Sequence, residues 1–454
     1  MTDATLAPAD QVAGASALAQ AAPLSRGYTK YALVLLLCIY VVNFLDRQVV
    51  TILAEPIKKE LGLADWQIGM MSGFAFAIFY TVLGLPIARL AERKNRPLII
   101  ASALTAWSGF TALCGTAQSF TQLCLYRVGV GVGEAGCTPP AHSLITDYTP
   151  RAKRASALSF YSMGVPIGSL LGMAMGGIIA DQYGWRVAFF VAGAPGLVLA
   201  AIAAVTLKET RSKLKADVEA SAAHRATIGQ TMAKLAQKRT FWLLSLASAT
   251  SAFILYGNAP FLPAFFLRNH PDEVAALAAQ FNLKSVGFIG LVIGVITGVV
   301  GALSSIIGGW IADRMAARDI RDTMIAPTLA ALIGVPSSIV VVLIGSATGG
   351  LWAFVVPACT FYFWYGPVYS TTQGIVPPHM RATAAAVLLF IINLIGLGVG
   401  PLFVGACSDY FAKGLGMGAA EGVRWALIVN DLFGLVAAAL YWMARKTIRE
   451  EMES

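Results

Sequence analysis

The chain reads Ala88-Arg-Leu-Ala-Glu92-Arg93-Lys-Asn95-Arg96 after one long apolar run and Gly309-Trp-Ile-Ala-Asp313-Arg314 after another. Each stretch places an acid directly before an arginine where an apolar segment ends. Three further pairs of stretches recur in the same order: Arg154-Ala with Arg381-Ala, Gly177-Ile-Ile-Ala-Asp181 with Gly405-Ala-Cys-Ser-Asp409, and Trp185-Arg186 with Arg424-Trp425. Ordered repeats of this kind indicate two homologous halves, an organisation typical of membrane transporters.

The composition requires a lipid environment. Hydrophobic residues make up 57% of the 454 residues and charged residues only 13%, whereas soluble proteins are about a quarter charged. A membrane helix needs about 20 apolar residues. Runs of this kind predict twelve spans, near 31–54, 66–88, 98–117, 121–146, 155–180, 187–206, 241–267, 286–312, 323–345, 350–374, 382–408 and 423–443. The sequence therefore predicts an all-α membrane protein and excludes an ordinary soluble enzyme.

The basic residues predict the orientation of the chain. Most of the 33 Lys and Arg residues lie in the terminal segments and in the loops on the same side as those segments. Cytoplasmic loops carry the excess of Lys and Arg in membrane proteins. We therefore expect an integral inner (plasma) membrane protein with both termini in the cytoplasm. No basic stripe with interleaved aromatic residues occurs, so the expected partner is the lipid bilayer and not a nucleic acid.

Motifs for metals, nucleotides and hydrolysis are missing from the sequence. The six cysteines fall inside apolar segments without the spacing of metal ligands, and no phosphate-binding G-x-x-x-x-G-K-[ST] loop occurs. Gly131-Val-Gly133-Glu-Ala-Gly136 fits the dinucleotide pattern G-x-G-x-x-G, but it lies inside an apolar span and does not follow a strand. We therefore predict no metal, no cofactor and no enzyme activity.

A long hydrophilic stretch between spans 6 and 7 divides the chain into two sets of six spans. The predicted organisation is a disordered cytoplasmic tail over 1–27, an N-terminal six-helix bundle over 28–207, a cytoplasmic linker over 208–239, a C-terminal six-helix bundle over 240–445 and a cytoplasmic tail over 446–454. Within the linker, Ile228, Met232 and Leu235 recur at helical spacing beside Lys234. This pattern indicates an amphipathic helix on the inner leaflet, and a solvated linker is an equal alternative.

The duplicated halves and the acid-Arg loops after spans 2 and 8 resemble those of the major facilitator superfamily. The resemblance covers all twelve spans and implies two pseudo-symmetric six-helix bundles in a monomeric protein. It also implies that the two loops latch the cytoplasmic ends of the halves together in the outward-facing state. The residues expected to take part in this cytoplasmic gating are Glu92, Arg93, Arg96, Arg154, Asp313, Arg314 and Arg381.

Two ladders of glycines occur at intervals of four residues. They are Gly164, Gly168, Gly172 and Gly176 in span 5, and Gly290, Gly294 and Gly298 in span 8. Small residues let membrane helices approach closely. The family resemblance implies that spans 2, 5, 8 and 11 form the interface between the halves, so the ladders would be surfaces that move. Static packing is the alternative for each glycine.

Charged residues within the membrane are costly and mark functional sites. Span 1 contains Asn43, Asp46 and Arg47, and span 4 contains Arg127 and Glu134. Asp46 and Arg127 lie at similar predicted depths, and Glu134 lies deeper on the same face of span 4 as Arg127. The simplest pairing is Asp46 with Arg127, while Arg47 reaches toward Glu134 or faces a cavity, and the swapped pairing remains open. A silent ion-pair network is the alternative to a proton-coupling site.

The second half carries polar aromatic residues where the first half carries charges. Tyr362, Tyr365 and Tyr369 recur at helical spacing in span 10, and span 7 adds Tyr256 and Asn258. A charged half that faces an aromatic half suits an amphiphile with an anionic head. We interpret these five residues as candidate substrate contacts, with ordinary helix packing as the alternative.

Asn43-x-x-Asp46-Arg47 and Gly131-Val-Gly133-Glu134-Ala135 resemble the spinster branch of the superfamily. The resemblance implies export of lysophospholipids or sphingoid phosphates, with Asp46 and Glu134 as titrating acids and Arg47 and Arg127 as their partners or head-group ligands. We therefore expect alternating access driven by a proton gradient. The rival is a proton symporter of small organic anions such as hexuronates, because that branch shares the span 1 motif. The rival carrier should have basic residues in both halves of its cavity.

Overall fold

The computed structural model of the chain describes residues 25–150, 153–210, 228–377 and 380–452. Over these residues the chain forms helices and turns, and no strand occurs. Eleven helices of this described part are long and apolar enough to cross a membrane. Predicted span 4 is not among them, and its helix is interrupted at 135–137. The all-α membrane fold is confirmed.

The N-terminal half contains spans 1 to 6, some of which are divided by a π-helical turn or a short break. Its helices are Arg26–Leu61 (span 1), Asp65–Gly69, Met70–Phe74 and Ala75–Arg93 (span 2), Arg96–Cys114 (span 3), Phe120–Glu134 and Thr138–Tyr148 (span 4), Arg154–Ser162 and Gly164–Tyr183 (span 5), and Trp185–Thr206 (span 6). Each span overlaps the apolar run that predicted it.

The C-terminal half repeats this arrangement and adds short helices outside the spans. Its helices are Ile228–Ala236 (linker helix), Arg239–Asn258 and Phe261–Asn269 (span 7), Pro271–Gln280, Ser285–Val295, Ile296–Val300 and Gly301–Ala316 (span 8), Ile320–Met324, Ile325–Leu343 (span 9), Ala347–Ala353, Val355–Thr360 and Tyr365–Gly374 (span 10), Arg381–Ile392, Asn393–Val399, Gly400–Asp409 and Tyr410–Gly414 (span 11), and Ala419–Glu451 (span 12). The π-helical turns are Ile296–Val300, Asn393–Val399 and Tyr410–Gly414.

The last span continues beyond its apolar run. The cytoplasmic tail predicted for 446–454 is helical as far as Glu451. Two contacts explain the extension. Ile448 is fully buried in the core of the C-terminal half, and the Glu451 carboxylate accepts the backbone N–H groups of Arg239 and Thr240 at 2.9 and 3.0 Å. The Glu451 carboxylate of span 12 thus pairs with the first amide groups of span 7, which have no partner within their own helix.

The first span likewise begins before its apolar run. Of the tail predicted for 1–27, residues 1–24 lie outside the described part, and helix already begins at Arg26. The Ser25 side chain accepts the backbone N–H of Tyr28 at 3.2 Å. This is an N-cap, which explains why the helix begins in polar sequence.

The linker helix packs against protein. Residues 211–227 of the predicted linker 208–239 lie outside the described part, and Ile228–Ala236 is helical. Thr231 and Leu235 are fully buried, and Leu235 belongs to the core of the C-terminal half. The predicted helix is therefore present, and its buried face packs against the C-terminal half. Its place on the inner leaflet stays a prediction.

The glycine ladder of span 5 does not lie between the halves. A Cβ atom at Gly168 would overlap the carbonyl oxygen of Val41, and one at Gly172 would lie 2.5 Å from that of Leu45. Both partners belong to span 1, in the same half. The implied moving surface is wrong for this ladder, because its glycines provide the close approach that packs span 1 against span 5.

The glycine ladder of span 8 does lie between the halves, and it shows where they separate. A Cβ at Gly290 would overlap the carbonyl oxygen of Met173 in span 5, and one at Gly298 would lie 3.0 Å from that of Pro166. Beyond Gly298, span 8 packs on its own half, and Ile306 is 69% exposed. We call the end that holds Arg26 and Glu451 the terminal end, and the opposite end the distal end. The halves touch toward the distal end and diverge toward the terminal end.

Candidate functional site

The intramembrane charges of spans 1 and 4 meet in the N-terminal half. Arg47 donates from Nε to Oε2 of Glu134 at 2.7 Å, and its Nη2 lies 2.7 Å from the same oxygen. Glu134 is 1% exposed, whereas 15% of the Arg47 side chain is exposed. Glu134 Oε1 is buried without a hydrogen-bond partner. The acid is thus enclosed, and its arginine is the member of the pair that reaches open space.

The simplest pairing inferred from the sequence, Asp46 with Arg127, does not form an ion pair between these two described residues. Asp46 instead accepts a hydrogen bond from Thr111 of span 3 at 3.1 Å. Arg127 lies over the ring of Phe76 at 5.0 Å, and its Nε and Nη1 atoms are buried without a partner. The two charges still interact electrostatically. The sequence could not show this because the competing partners come from spans 2 and 3.

Three aromatic rings surround the guanidinium of Arg47. The central carbon of the guanidinium, Cζ, lies 5.2 Å from the ring centre of Phe44, 4.9 Å from that of Phe76 and 4.7 Å from that of Tyr80. Such contacts stabilise a cation that has left bulk water. The sequence analysis missed these residues, although their spacing offered a signal. Phe44 is one helical turn before Arg47, and Phe76 and Tyr80 are one turn apart in span 2.

The glycines before Glu134 determine where span 4 lies. A Cβ at Gly131 would overlap the carbonyl oxygen of Phe76 in span 2, and one at Gly133 would lie 2.6 Å from the backbone nitrogen of Trp107 in span 3. Span 4 is therefore wedged against two neighbours on its glycine face. The G-x-G-x-x-G pattern is a packing motif here, and it holds Glu134 toward span 1.

The tyrosines of the C-terminal half form a wall opposite these charges. The rings of Tyr362 and Tyr365 are 5.7 Å apart, and those of Tyr365 and Tyr369 are 6.1 Å apart. Tyr256 lies close to all three tyrosines and to Arg47 of the other half. Tyr256 also packs against the cores of both halves. The structure therefore brings these four predicted residues and the charged site to one central space.

Asn258 is not part of that wall. Its Nδ2 donates to Oδ1 of Asp431 at 2.7 Å, and its Oδ1 accepts from Asn430 Nδ2 at 2.8 Å. Both ends of the amide are thus occupied within the C-terminal half, between spans 7 and 12. In this conformation the Asn258 amide is hydrogen-bonded to two residues of span 12, which contradicts its interpretation as a substrate contact.

Arg96, predicted as a gating residue, is fully buried in the N-terminal half. Its guanidinium pairs with Asp147 at 2.6 Å and with Glu209, and it donates to Thr210 at 2.9 Å. These contacts join the start of span 3 to the end of span 4 and to the chain that follows span 6. Arg96 therefore holds one half together, and in this conformation it is not available to contact the other half.

The other predicted gating residues lie at the open terminal end. Arg314 lies over the ring of Trp310 at 3.9 Å, and Arg154 donates to the carbonyl oxygen of Thr149 at 3.4 Å. Within the described part, no such contact joins the side chains of Arg93, Asp313 or Arg381 to the opposite half. The Glu92 side chain lies outside that part. The implied latch belongs to the outward-facing state, so it stays a prediction.

A charge network closes the distal end, and the sequence analysis missed it. Arg268 of span 7 donates to both carboxylate oxygens of Asp65 at 2.8 Å and to Glu55 at 2.8 Å. Asp65 also accepts from Lys58 at 2.5 Å and from Ser408 at 2.7 Å. Arg268 and Ser408 belong to the C-terminal half and the other three residues to the N-terminal half. The network therefore joins the halves.

The repeated acids Asp181 and Asp409 join the halves symmetrically. Asp181, at the end of span 5, accepts the backbone N–H of Gly287 at the start of span 8 at 2.6 Å. Asp409, at the end of span 11, accepts the backbone N–H of Trp66 at the start of span 2 at 2.8 Å. Each acid thus caps a helix of the opposite half. The repeat predicted the duplication, and the structure shows what the repeated acids do.

Replacing Arg268 with Gln is expected to open the distal end. Removing one partner of a buried ion pair costs about 3–5 kcal/mol, and every 1.4 kcal/mol is about tenfold in population. The population of the distal-closed state should therefore fall by about 100-fold or more relative to the open state. Spin labels at Tyr183 and Leu415, exposed distal residues of opposite halves, report the change as longer distances.

The matched control for this change is Arg186→Gln. Arg186 is also a distal arginine in an ion pair, but its partner Glu60 belongs to the same half. The control should keep the wild-type distances. Equal distance distributions in Arg268→Gln and wild type would show that the network does not hold the end closed.

Two six-span halves around a central space, sealed at one end by contacts between the halves, define a membrane transport protein. The sequence profile of the Major Facilitator Superfamily matches residues 36–401. The chain therefore belongs to the Major Facilitator Superfamily. This membership confirms the predicted class of transporter.

Its relatives place the chain in the spinster-like branch. A bacterial homologue of the human lysosomal transporter spinster, in an inward-facing and unoccupied conformation, has a TM-score of 0.83 and 33% identity, covering 95% of this chain and 99% of that one. An MFS-type efflux pump of Mycolicibacterium smegmatis is 33% identical over 90% of this chain and 91% of the relative.

More distant relatives are named after two different substrates. The sphingosine-1-phosphate transporter SPNS2 of Danio rerio is 26% identical over 81% of this chain and 74% of its own length. A hexuronate transporter of Bacillus subtilis is 24% identical over 81% of this chain and 85% of its own length. Each name describes that relative.

Proposed function

We propose that this protein is a proton-coupled secondary transporter of amphipathic anions, of the lysophospholipid or sphingoid-phosphate type. One observation carries the proposal. Arg47, partly exposed and paired with the enclosed Glu134, faces a tyrosine wall in a half whose spans contain no Lys or Arg between residues 240 and 267 or between 325 and 380. Charge lies on one side of the central space and aromatic surface on the other.

This arrangement suits a substrate with two unlike ends. An anionic head group can form charge-assisted hydrogen bonds with the guanidinium of Arg47. The apolar chain can then lie against Tyr362, Tyr365 and Tyr369, whose rings offer area together with hydroxyl groups. Asn43, 2% exposed and one helical turn before Arg47, supports the charged side.

Proton coupling follows from competition for Arg47. While Arg47 pairs with Glu134, the enclosed acid is stable as a carboxylate. When a substrate anion takes the guanidinium, Glu134 loses its compensating charge while it stays enclosed by protein, and binding a proton restores neutrality. Asp46 and Arg127 lie beside this pair as a second acid and base. No cofactor other than the proton gradient takes part.

We place the protein in the inner (plasma) membrane, as a monomer with both termini in the cytoplasm. The excess of basic residues near the terminal end supports this orientation. The open terminal end then faces the cytoplasm, and the distal network closes the outer side. Substrate would exchange with the cytoplasm in the conformation described here.

The rival function is proton symport of small organic anions such as hexuronates. The similarity to a hexuronate transporter over 81% of this chain favours it. A small substrate that is hydrophilic at both ends would need polar or basic groups on both sides of the central space. The tyrosine wall offers only hydroxyl groups. The wall therefore favours the amphiphile.

Uptake into liposomes separates these functions. The purified protein is reconstituted, and uptake of a labelled lysophospholipid and of a labelled hexuronate is measured with and without an inward proton gradient. We expect lysophospholipid movement that exceeds protein-free liposomes and rises with the gradient. Hexuronate uptake without lysophospholipid movement would assign the rival substrate, and movement insensitive to the gradient would refute proton coupling.

A further inference from the structure

The C-terminal half contains a buried acid that the proposed transport site does not use. Asp431 lies in the middle of span 12 and is 3% exposed. Within the described part its only hydrogen bond comes from Asn258, and no cationic side chain pairs with it. Buried carboxylates are normally paired with a cation or are neutral. A carboxylate with one amide donor in this place is therefore costly, and a proton is the simplest means of removing its charge.

A cavity gives Asp431 a polar environment. It measures ≈ 50 Å³ and is bounded by spans 7, 9, 10 and 12. One water needs about 10–15 Å³ of such space. Its polar lining includes Ser251, Ser338, Thr360 and Asp431, and Trp364 lines it with an indole Nε1 that is buried without a hydrogen-bond partner. The cavity thus has the size and the donors and acceptors for a short water chain that carries protons.

The partner of Asp431 lies at a break in span 7. The first helix of the span ends at Asn258, a turn follows at Ala259 and Pro260, and the second helix is Phe261–Asn269. That second helix carries Arg268, the arginine that seals the distal end. The hydrogen bond from Asn258 to Asp431 therefore holds the residue at which the distal part of span 7 can pivot.

We propose that Asp431 is a second proton-binding site, reached through this cavity, and that its protonation state controls the hinge of span 7. A neutral acid fits the surroundings seen with the distal end closed, because one amide donor and the uncharged residues of the cavity suffice for it. Loss of the proton leaves a carboxylate that needs more than the one protein donor it has here, and a shift of the helix end at Asn258 would bring further donors to it. Among the described residues of spans 7, 9, 10 and 12, no other charged side chain lines the cavity that Asp431 faces. The hinge part of this proposal rests on the proposed alternating-access function, and the proton-binding part does not.

Infrared spectroscopy of the purified protein tests proton binding directly. At neutral pH the wild type should show the stretching band of a protonated carboxylic acid, and Asp431→Asn should lose that band. Asn keeps the acceptor for Asn258 and nearly the same shape. Ser338→Ala, which changes the cavity lining without a titratable group, should keep the band. A band that is unchanged in Asp431→Asn overturns the proposal.

A second variant tests access and guards against misfolding of the first. Ala331 lines the cavity from span 9, so Ala331→Leu should fill it while Asp431 remains. Transfer to heavy water should then shift the acid band at least tenfold more slowly than in wild type. An unchanged exchange rate would refute the cavity as the proton path.

The hinge is tested through the distal spin labels at Tyr183 and Leu415. Raising the pH should lengthen their distances in wild type, because Asp431 loses its proton. Asp431→Asn should keep the short distances at every pH, whereas Glu134→Gln should retain the pH response. A response that persists in Asp431→Asn refutes control of the hinge. Failure of lipid transport would refute the proposed function and would leave the infrared result standing.

Discussion

Replacing Glu134 with Gln is expected to reduce proton-driven uptake to the level of protein-free liposomes. Glutamine can accept the hydrogen bond from Arg47, but it can neither balance the charge of the guanidinium nor bind the coupling proton. Arg47 would then be a partly buried cation without its counter-ion, and its charge would be stabilised mainly by the surrounding rings of Phe44, Phe76 and Tyr80. Uptake of the labelled substrate with and without an imposed proton gradient measures the effect.

Exchange of substrate without a gradient separates coupling from binding. If Glu134 is the coupling acid, Glu134→Gln should still exchange substrate across liposomes at equal pH, although net uptake is lost. Glu450→Gln is the matched control, because Glu450 is exposed on the last turn of span 12, and it should behave as wild type. Gradient dependence retained in Glu134→Gln would remove Glu134 from the coupling mechanism.

Replacing Gly290 with Leu is expected to prevent closure of the distal end. A side chain at Gly290 would overlap the backbone carbonyl of Met173 in span 5, and the Ile52 side chain lies 3.1 Å from its Cβ position. Backbone cannot yield as a flexible side chain can, so spans 5 and 8 must separate. The spin labels at Tyr183 and Leu415 should report long distances under all conditions, and transport should stop.

The same span offers a control at an open position. A Cβ atom added at Gly309 would meet no other atom within 4 Å, so Gly309→Leu adds the same volume where nothing opposes it. We expect its distal distances to match wild type. Short distances in Gly290→Leu would mean that the contact between spans 5 and 8 is not required for closure.

The distal end shows how a duplicated sequence builds a closing device. Asp181 and Asp409 occupy equivalent positions in the two halves, and each caps a helix of the other half. The Arg268 network breaks this symmetry, because its arginine comes from the C-terminal half and its acids, Asp65 and Glu55, both come from the N-terminal half. Two backbone contacts thus align the halves, and one charged network adds an interaction that mutation or protonation can alter.

The sequence by itself determined the class of fold and most of the central site. Apolar runs of the length of a membrane helix predicted every span, because lipid requires each backbone group to pair within its own helix. Charges in such runs are rare, so Arg47, Arg127 and Glu134 stood out without a structure. The spacing of residues along a helix, their depth in the membrane and the free-energy cost of burying a charge there were enough for these conclusions.

Tertiary structure alone decided which charges pair, where the halves touch and which end is closed. Asp46 accepts a hydrogen bond from Thr111 of span 3, and Arg127 lies over the ring of Phe76 of span 2, so neither forms the ion pair that the sequence suggested. Arg268 reaches Asp65 across 203 residues of chain. Such contacts depend on how helices from distant parts of the sequence are positioned, and a single helix pattern contains no information about its neighbours. The same reason explains why the glycines of span 5 pack against span 1, whereas those of span 8 meet the other half.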